Sequence, residues 1–284
     1  MRIGWIGLGK LGLPMARHAA RAGTLRGHDR DMARLAGEPG IGPAESAAAL
    51  AGWADILLLS LPDDGALRAV AAELAPRLGP ETVVVDTSTV SPRACDAVRA
   101  LLGDRYLAAP VSGSTATAEA AALTLFCSGP EAALARARPV LETFSRAIHH
   151  LGPGAEARWM KLAVNHFVGT TAQVAAEALT LARRGGVDWG RALDVLGASV
   201  AASPLVGYKL APLRARDFAP AFSVAQMEKD MRLVAEAAAA AGTPGRLAAL
   251  VHGLYRDQAA TDLAALDFFA AILAAERAAG LPEP

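Results

Sequence analysis

Residues 7–16, close to the start of the chain, constrain its fold more than any other segment. They read Gly-Leu-Gly-Lys-Leu-Gly-Leu-Pro-Met-Ala and follow an apolar run, residues 3–6, that predicts a short buried strand. A helical pattern then begins at Leu13 and continues to Gly23. A strand, a glycine-rich turn and a helix in this order are typical of a dinucleotide-binding unit.

Each glycine of this turn has a separate physical task. Gly7 allows the tight turn, Gly9 lets the backbone approach a pyrophosphate, and Gly12 lets the helix and strand pack closely. The pyrophosphate then lies on backbone N–H groups at the positive end of the helix. We therefore predict a nucleotide site formed by these glycines together with the turn residues Leu8 and Leu11.

The composition indicates a globular protein with a large core. Hydrophobic residues make up 53% of the 284 residues and charged residues 20%, and the formal net charge is zero. Since no basic run stands out, nothing supports binding to nucleic acid or to an anionic membrane. No apolar segment is long enough to predict a membrane span, and no secretory signal precedes the glycine turn. We therefore expect a cytoplasmic protein.

The cysteines and histidines give no sign of a metal centre. Cys95 and Cys127 lie far apart and lack the spacing of metal ligands, and the six histidines show no ligand spacing either. Buried free thiols in a reducing cytoplasm are the expected state of both cysteines. The sequence therefore predicts no metal site.

The first half of the chain alternates short strands with helices, which indicates a doubly wound, mainly parallel sheet. The expected strands are residues 2–6, 25–28, 56–61, 82–86, 107–109, 123–127 and 147–151. Amphipathic stretches such as 64–78 and 92–102 lie between them. The predicted fold class is an α/β Rossmann domain followed by an all-α domain.

After Gly152-Pro153-Gly154 the strand pattern stops, and one long helix is predicted over residues 156–184. Further helices follow, separated at 185–186, 203–204, Pro212, Pro220 and 242–245. We predict a dinucleotide-binding domain over residues 1–153 and a helical domain for substrate binding and dimerisation over 154–284. Apolar residues on several faces of 162–181 favour a homo-oligomer, a dimer or tetramer, although burial within one chain would also explain them.

Further segments occur in a recognisable order along the chain. In sequence they are Leu61-Pro62-Asp63, Asp86-Thr87-Ser88-Thr89-Val90-Ser91-Pro92, Ala109-Pro110-Val111-Ser112-Gly113, Gly152-Pro153 with Lys161 and Asn165, and Met227-Glu228-Lys229-Asp230. Together they resemble the β-hydroxyacid dehydrogenases, the family of 3-hydroxyisobutyrate dehydrogenase, over essentially the whole chain. The resemblance implies an NAD(P)-dependent oxidoreductase that interconverts a small β-hydroxy acid and its oxo acid or semialdehyde by hydride transfer.

The resemblance also implies which residues bind the cofactor and the substrate. Leu61, Pro62 and Thr89 would lie against the cofactor. The Ser112 hydroxyl and the Gly113 N–H would bind the substrate carboxylate. Lys229 would reach the cofactor or the substrate, where its ammonium attracts a carboxylate. Ligands of an open α/β sheet bind outside the carboxyl ends of its strands, where the segments containing the first five of these residues are predicted.

The resemblance further implies that Lys161 lies beside the hydroxyl being oxidised and acts as general acid and base, with Asn165 one helical turn away on the same face. When hydride leaves the carbinol carbon, a group must accept the hydroxyl proton, and the same group returns it in reduction. A free lysine, with a pKa of about 10.4, is a poor base at neutral pH. Burial would bring that pKa toward about 7–8, which suits the task. Trp159, Met160 and Leu162 are suitable apolar neighbours, although the sequence does not show which way they face.

The sequence favours NAD over NADP. Asp29 follows Gly9 by 20 residues, where a carboxylate would bind the ribose 2′-hydroxyl and repel a 2′-phosphate. Arg30 is the alternative, because a guanidinium could instead bind a phosphate, and NADP-dependent members of the family often have an Asn-Arg pair here. Asp31 adds further negative charge.

Several positions depart from the family pattern. Ser114, Thr117 and Ala121 stand where it has glycines, Ala108 replaces an acidic residue, and Ser128 replaces another glycine. Since lost glycines restrict backbone angles and add bulk, we expect a change in substrate shape rather than in reaction type. Two alternatives remain: an imine reductase of similar fold, which generally has Asp or Tyr in place of Lys161, and a protein that binds NAD(P) without turnover.

Overall fold

The computed structural model describes residues 1–282, which divide into two compact units. One unit ends at Lys161 and the other begins at Leu162, so the division falls inside one continuous helix. Each unit has an apolar core of its own.

A six-stranded parallel sheet forms the centre of the first unit. Its strands are β1 (Arg2–Ile6), β2 (Thr24–His28), β3 (Ile41–Pro43), β4 (Ile56–Leu59), β5 (Val83–Asp86) and β6 (Tyr106–Ala108). They lie in the order β3-β2-β1-β4-β5-β6 with every neighbouring pair parallel. This is the strand order of a Rossmann domain, in which ligands bind where the order reverses, at the carboxyl ends of the central strands. The predicted fold class of this half is confirmed.

Helices connect these strands, and three of the four named next begin at side-chain caps. They are α1 (Gly12–Ala19), α2 (Ala47–Trp53), α3 (Asp64–Leu74) and α4 (Pro92–Leu102). Ser46, Asp63 and Ser91 each accept a bond from the backbone N–H three residues further on, which satisfies a donor that the helix start leaves unpaired. All residues of β4 and β5 are buried, as expected of central strands covered on both faces.

A second, three-stranded sheet completes the first unit, and the sequence analysis foresaw only part of it. β7 (Val111–Ser112) pairs antiparallel with β8 (Leu123–Cys127), and β8 pairs parallel with β9 (Ser145–His150). Two helices lie between these strands, α5 (Thr115–Glu119) and α6 (Glu131–Leu141). The elements β3, β7 and α5 escaped prediction because segments of two to five residues show no readable periodicity.

Helices alone form the second half, as predicted. α7 (Glu156–Arg184) is followed by α8 (Trp189–Ala198), α9 (Pro204–Arg214), α10 (Val224–Ala240), α11 (Arg246–Ala259) and α12 (Ala271–Ala278). The predicted break at Pro212 is wrong, because Pro212 lies inside the last turn of α9. A proline so close to the end removes one backbone bond without stopping the helix. Among residues 1–282, no helix is both long and apolar enough to cross a membrane.

Candidate active site

The glycine turn between β1 and α1 leaves room for a ligand at one position only. A Cβ on Gly7, which has a φ of +92°, would lie 2.2 Å from the Ser60 carbonyl oxygen. A Cβ on Gly12 would lie 2.1 Å from the Gly7 carbonyl oxygen. A Cβ on Gly9 would meet only the Nη1 atom of Arg34, at 3.5 Å. Two glycines are therefore required by the fold, while the backbone at Gly9 is open to a ligand.

Asp29 follows β2 and turns its carboxylate onto the glycine turn. Its Oδ2 accepts a hydrogen bond of 2.7 Å from the Leu8 N–H, and its Oδ1 accepts one of 2.9 Å from the Asp31 N–H. Arg34 Nη1 lies 3.5 Å from Oδ2. The negative charge is thus fixed beside the turn, whereas Arg30 is exposed at the surface.

The loops after β4 and β5 are bonded to each other. The Leu61 N–H donates to Ser88 Oγ at 2.9 Å, and the hydroxyls of Ser60 and Thr87 lie 2.6 Å apart. Pro62 is exposed and Thr89 half-buried at this edge of the sheet. The structure therefore brings together, at the carboxyl ends of β1, β2, β4 and β5, the segments predicted to bind the cofactor. These residues fit a dinucleotide, because an open glycine turn lies next to the fixed carboxylate of Asp29, the residue predicted to bind the ribose.

Ser112 ends β7 and Gly113 begins the loop after it. The departures from the family pattern lie directly beyond them. The Ser114 N–H donates to Thr117 Oγ1 at 2.6 Å, and the Thr117 N–H donates back to Ser114 Oγ at 3.4 Å. Ser114 and Thr117, two of the residues that replace glycines of the family pattern, thus form a reciprocal cap at the start of α5. Ala121 adopts a φ of +54°, a region that favours glycine.

Lys161 and Asn165 lie one turn apart on α7 and are both buried, with 9% and 6% of their surface exposed. The Asn165 Nδ2 donates to Asp230 Oδ2 at 2.5 Å, and Lys229 Nζ lies 2.9 Å from Asp230 Oδ1. Asp230 is 1% exposed, so in the second unit a buried carboxylate accepts a hydrogen bond from Asn165 and lies in charge contact with Lys229.

The apolar residues next to Lys161 differ in burial. Leu162 is buried, but Trp159 and Met160 are 43% and 42% exposed. Trp159 and Met160 therefore lie on other faces of α7 than the buried side chain of Lys161.

The sequence analysis missed the roles of Asp86 and Arg158. Arg158 lies in the first turn of α7, is fully buried, and bonds with the Asp86 carboxylate and the Tyr106 hydroxyl. The available signal was an arginine one turn before Lys161 in a stretch predicted to be helical. No group of three or more His, Cys, Asp or Glu side chains within residues 1–282 is arranged to hold a metal ion.

Two family models match the chain. Residues 2–152 match the NAD-binding domain of 6-phosphogluconate dehydrogenase. Residues 155–275 match the model described as NAD-binding of NADP-dependent 3-hydroxyisobutyrate dehydrogenase. Together with the glycine turn and the parallel sheet, these matches define an NAD(P)-dependent oxidoreductase.

Known proteins of similar length place the chain more closely. A "Probable 3-hydroxyisobutyrate dehydrogenase" of Mycobacterium bovis is 32% identical and covers 95% of this chain and 96% of its own. An NAD-dependent L-serine dehydrogenase of Pseudomonas aeruginosa is 30% identical, covering 90% and 91%. A structure of Mycobacterium tuberculosis 3-hydroxyisobutyrate dehydrogenase with L-serine is 31% identical, with a TM-score of 0.87 and coverage of 96% and 98%. The chain belongs to the β-hydroxyacid dehydrogenase family.

A further likeness bears on the imine reductase alternative. The structure of an imine reductase from Pseudomonas sp. is 19% identical, with a TM-score of 0.61 and coverage of 96% of this chain and 98% of that one. Identity this low shows a shared fold alone.

Proposed function

We propose that the protein interconverts a small β-hydroxy acid and its oxo acid or semialdehyde, with Lys161 as general acid and base. The observation that carries the proposal is a buried lysine one helical turn from an asparagine whose orientation a buried carboxylate fixes. 3-Hydroxyisobutyrate and L-serine, the compounds named for similar proteins, both have a hydroxymethyl group on the carbon next to a carboxylate. We therefore propose substrates of this class.

The chemistry requires the chain to move one proton. A nicotinamide cofactor held at Asp29 and the glycine turn of residues 7–12 would supply the hydride acceptor for oxidation and the hydride donor for reduction. The neutral amine of Lys161 takes the proton from the substrate hydroxyl as the carbonyl forms, and its ammonium returns that proton in the reverse direction. Because the Asn165 NH₂ group donates to Asp230, its Oδ1 is presented as an acceptor, suited to the ammonium or the hydroxyl.

The substrate carboxylate is assigned to the loop after β7. The Ser112 hydroxyl and the Gly113 N–H supply neutral donors, and Lys229 supplies positive charge. In this proposal the reciprocal cap of Ser114 and Thr117 holds the loop in one conformation. The loop then restricts the shape of the substrate carbon chain attached to the carboxylate.

For the cofactor, we propose NAD. The support is the Asp29 carboxylate, which two backbone N–H groups hold in place and whose charge would repel a 2′-phosphate. Arg30 and Arg34 are the groups that would favour NADP, but Asp29 and Asp31 already lie within 3.5 Å of the Arg34 guanidinium.

We also propose that the protein is a homo-oligomer, a dimer or tetramer, that pairs through α7. Phe167, Val174 and Leu181 recur every seven residues on this helix and are 79%, 60% and 74% exposed. An apolar ridge of this length in water favours a protein partner. Sedimentation of Val174→Glu beside the wild type tests the oligomer, and a monomeric wild type contradicts it.

For the domain boundary, we propose residues 153 and 154, which lie close to where the two family matches meet.

Initial rates test the function. A panel of short 3-hydroxy acids, each with NAD and with NADP, should give turnover by the wild type and none by Lys161→Ala. Leu179→Ala is a control because it truncates a buried residue of the same helix, about five turns from Lys161, without touching the amine. Turnover that survives in Lys161→Ala would contradict the proposal. Reduction of cyclic imines instead of oxo acids would favour an imine reductase, and tight cofactor binding without turnover would favour a non-catalytic role.

A further inference from the structure

We infer that Arg158 is a positioning residue for Lys161: its buried ion pair with Asp86 fixes the first turn of α7 against the cofactor-facing loop after β5. The inference rests on the proposed roles of Lys161 and Thr89. It assigns to Arg158 no contact with substrate or cofactor, only control over where the amine of Lys161 lies.

A single guanidinium joins three elements of the first unit. Arg158 Nη2 lies 2.5 Å from Asp86 Oδ2 and 3.1 Å from the Asp86 carbonyl oxygen, at the end of β5. Nη1 donates to the carbonyl oxygen of Ser88, in the loop that follows. Nη2 also donates to the Tyr106 hydroxyl of β6 at 3.1 Å, and that hydroxyl donates to Asp86 Oδ2 at 2.9 Å. The two terminal nitrogens of a guanidinium are held in a planar fork, so Nη1 and Nη2 can address Ser88 and the Asp86–Tyr106 pair together, with the two N–H groups of Nη2 shared among its three acceptors. An ammonium is a single point charge.

Because both residues belong to α7, the contacts of Arg158 also fix the position of the proposed base, Lys161. Three residues separate Arg158 from Lys161, so the two lie on one face of the helix with a rise of about 4.5 Å between them. Asn165 continues the same face, and all three side chains are buried. A rotation or shift of the first turn would therefore move the Lys161 amine directly.

The same network extends to the loops proposed to face the cofactor. Asp86 Oδ1 accepts the Ser88 N–H at 2.9 Å, and Ser88 Oγ accepts the Leu61 N–H at 2.9 Å. One continuous path of bonds thus runs from the loop after β4, through the loop after β5, to the helix that carries Lys161. Proton transfer and hydride transfer need a common geometry, and this path sets it.

Stability alone does not account for the ion pair. Arg158 and Asp86 are both fully buried, and desolvating two charges costs several kcal/mol, so well-packed apolar residues often do as well. Arg158 Nε has no hydrogen-bond partner among the described residues, which adds to that cost. The start of α7 is also held without Arg158, because the Ala157 N–H donates to Ser128 Oγ at 3.3 Å. What the pair adds is a defined rotation of the helix.

The test compares two arginines on the same helix. Arg158→Lys keeps the charge but cannot make all the bonds of the fork. Arg183→Lys is the control, because Arg183 also pairs with a buried carboxylate, that of Glu276, but lies about 33 Å along the axis from Lys161. We expect Arg158→Lys to lower kcat by about ten- to a hundred-fold, as misplacement of a reacting group does. Cofactor affinity should stay unchanged, because the Leu61–Ser88 bond remains.

A kinetic isotope effect separates positioning from a general loss of structure. With cofactor deuterated at the transferred position, the isotope effect on kcat should rise in Arg158→Lys, because a misplaced base slows the chemical step, and should not change in Arg183→Lys. Tyr106→Phe removes the hydroxyl bonded to both partners and keeps the ring. Tyr106→Phe should lower kcat and raise the isotope effect, each by less than Arg158→Lys does. It replaces Arg158→Lys in the test if that variant does not fold.

The outcomes distinguish this inference from the proposed function. Wild-type kcat and isotope effect in Arg158→Lys or, where that variant does not fold, in Tyr106→Phe, with Lys161→Ala inactive, would overturn the anchor and leave the function standing. An equal loss in Arg183→Lys would also overturn it, since the effect would then follow from stability. Turnover by Lys161→Ala would overturn the function itself.

Discussion

Gly9 offers a substitution that separates cofactor binding from folding. A methyl group there would meet only the end of the Arg34 side chain, at 3.5 Å, and that side chain is exposed and can move. The matched substitution at Gly12 would place a methyl group 2.1 Å from a backbone oxygen. Gly9→Ala should therefore fold normally and bind the cofactor poorly, whereas Gly12→Ala should be unstable.

The expected magnitudes follow from these distances. Gly→Ala at a compatible backbone position stabilises a protein by about 0.4–1 kcal/mol, because the unfolded chain loses freedom. Overpacking of the kind expected at Gly12 costs about 1–3 kcal/mol. A methyl group between the turn and a pyrophosphate lengthens at least one charged hydrogen bond, which contributes about 1.5–3 kcal/mol. That loss corresponds to an increase of about ten- to a hundred-fold in the Kd.

Two measurements check this prediction. Fluorescence titration with reduced cofactor gives the Kd of each variant, and thermal unfolding without cofactor gives the midpoint. The reasoning is refuted if Gly9→Ala binds the cofactor like the wild type, or if its melting midpoint falls as far as that of Gly12→Ala.

Three further predictions concern other parts of the chain. Ala121→Gly should raise the free energy of unfolding by up to about 1 kcal/mol. The left-handed region costs alanine about 1–2 kcal/mol, and the greater freedom of glycine in the unfolded chain offsets part of the difference. In denaturant titrations Arg216→Gly, at the same φ of +54°, should do the opposite because it loses its bonds to Glu276. Burial raises the pKa of the Cys127 thiol to about 12 and also raises that of Cys95. A thiol reagent at pH 8 should therefore label neither cysteine until the protein is denatured, and stability should fall as the pH rises above about 8.5, where unfolded thiols ionise. Asp29→Asn should shift the ratio of affinities toward NADP by about tenfold, since it removes a charge and keeps an acceptor for the Leu8 N–H; an unchanged ratio would contradict the assignment of NAD.

The fold was largely predictable because its signals are local. The glycine turn, the apolar strands and the 3.6-residue periodicity of α7 are written in neighbouring residues. The bounds of β1, β8, α4 and α7 were predicted to the residue. The three-residue β3 and the two-residue β7 were not predictable, because their pairing depends on strands distant in sequence.

The candidate site was predictable only where the family pattern assigns a residue. Lys161 and Asn165 could be named from their spacing and the lead-in Gly152-Pro153. The replaced glycines Ser114 and Thr117 looked like a loss, and only the structure shows that they pair with each other. Nothing in the sequence indicates that Asp230 holds Asn165, because 65 residues separate them.

The sequence by itself determined the class of fold, the glycine turn for a dinucleotide and the helix that carries Lys161, since each depends on residues close together in the chain. The tertiary structure alone decided how Lys161 is held. Arg158 and Asp86 lie 72 residues apart and attract each other strongly only because folding removes both charges from water. Interactions that depend on burial form only when the chain folds, so a pattern of neighbouring residues does not predict them.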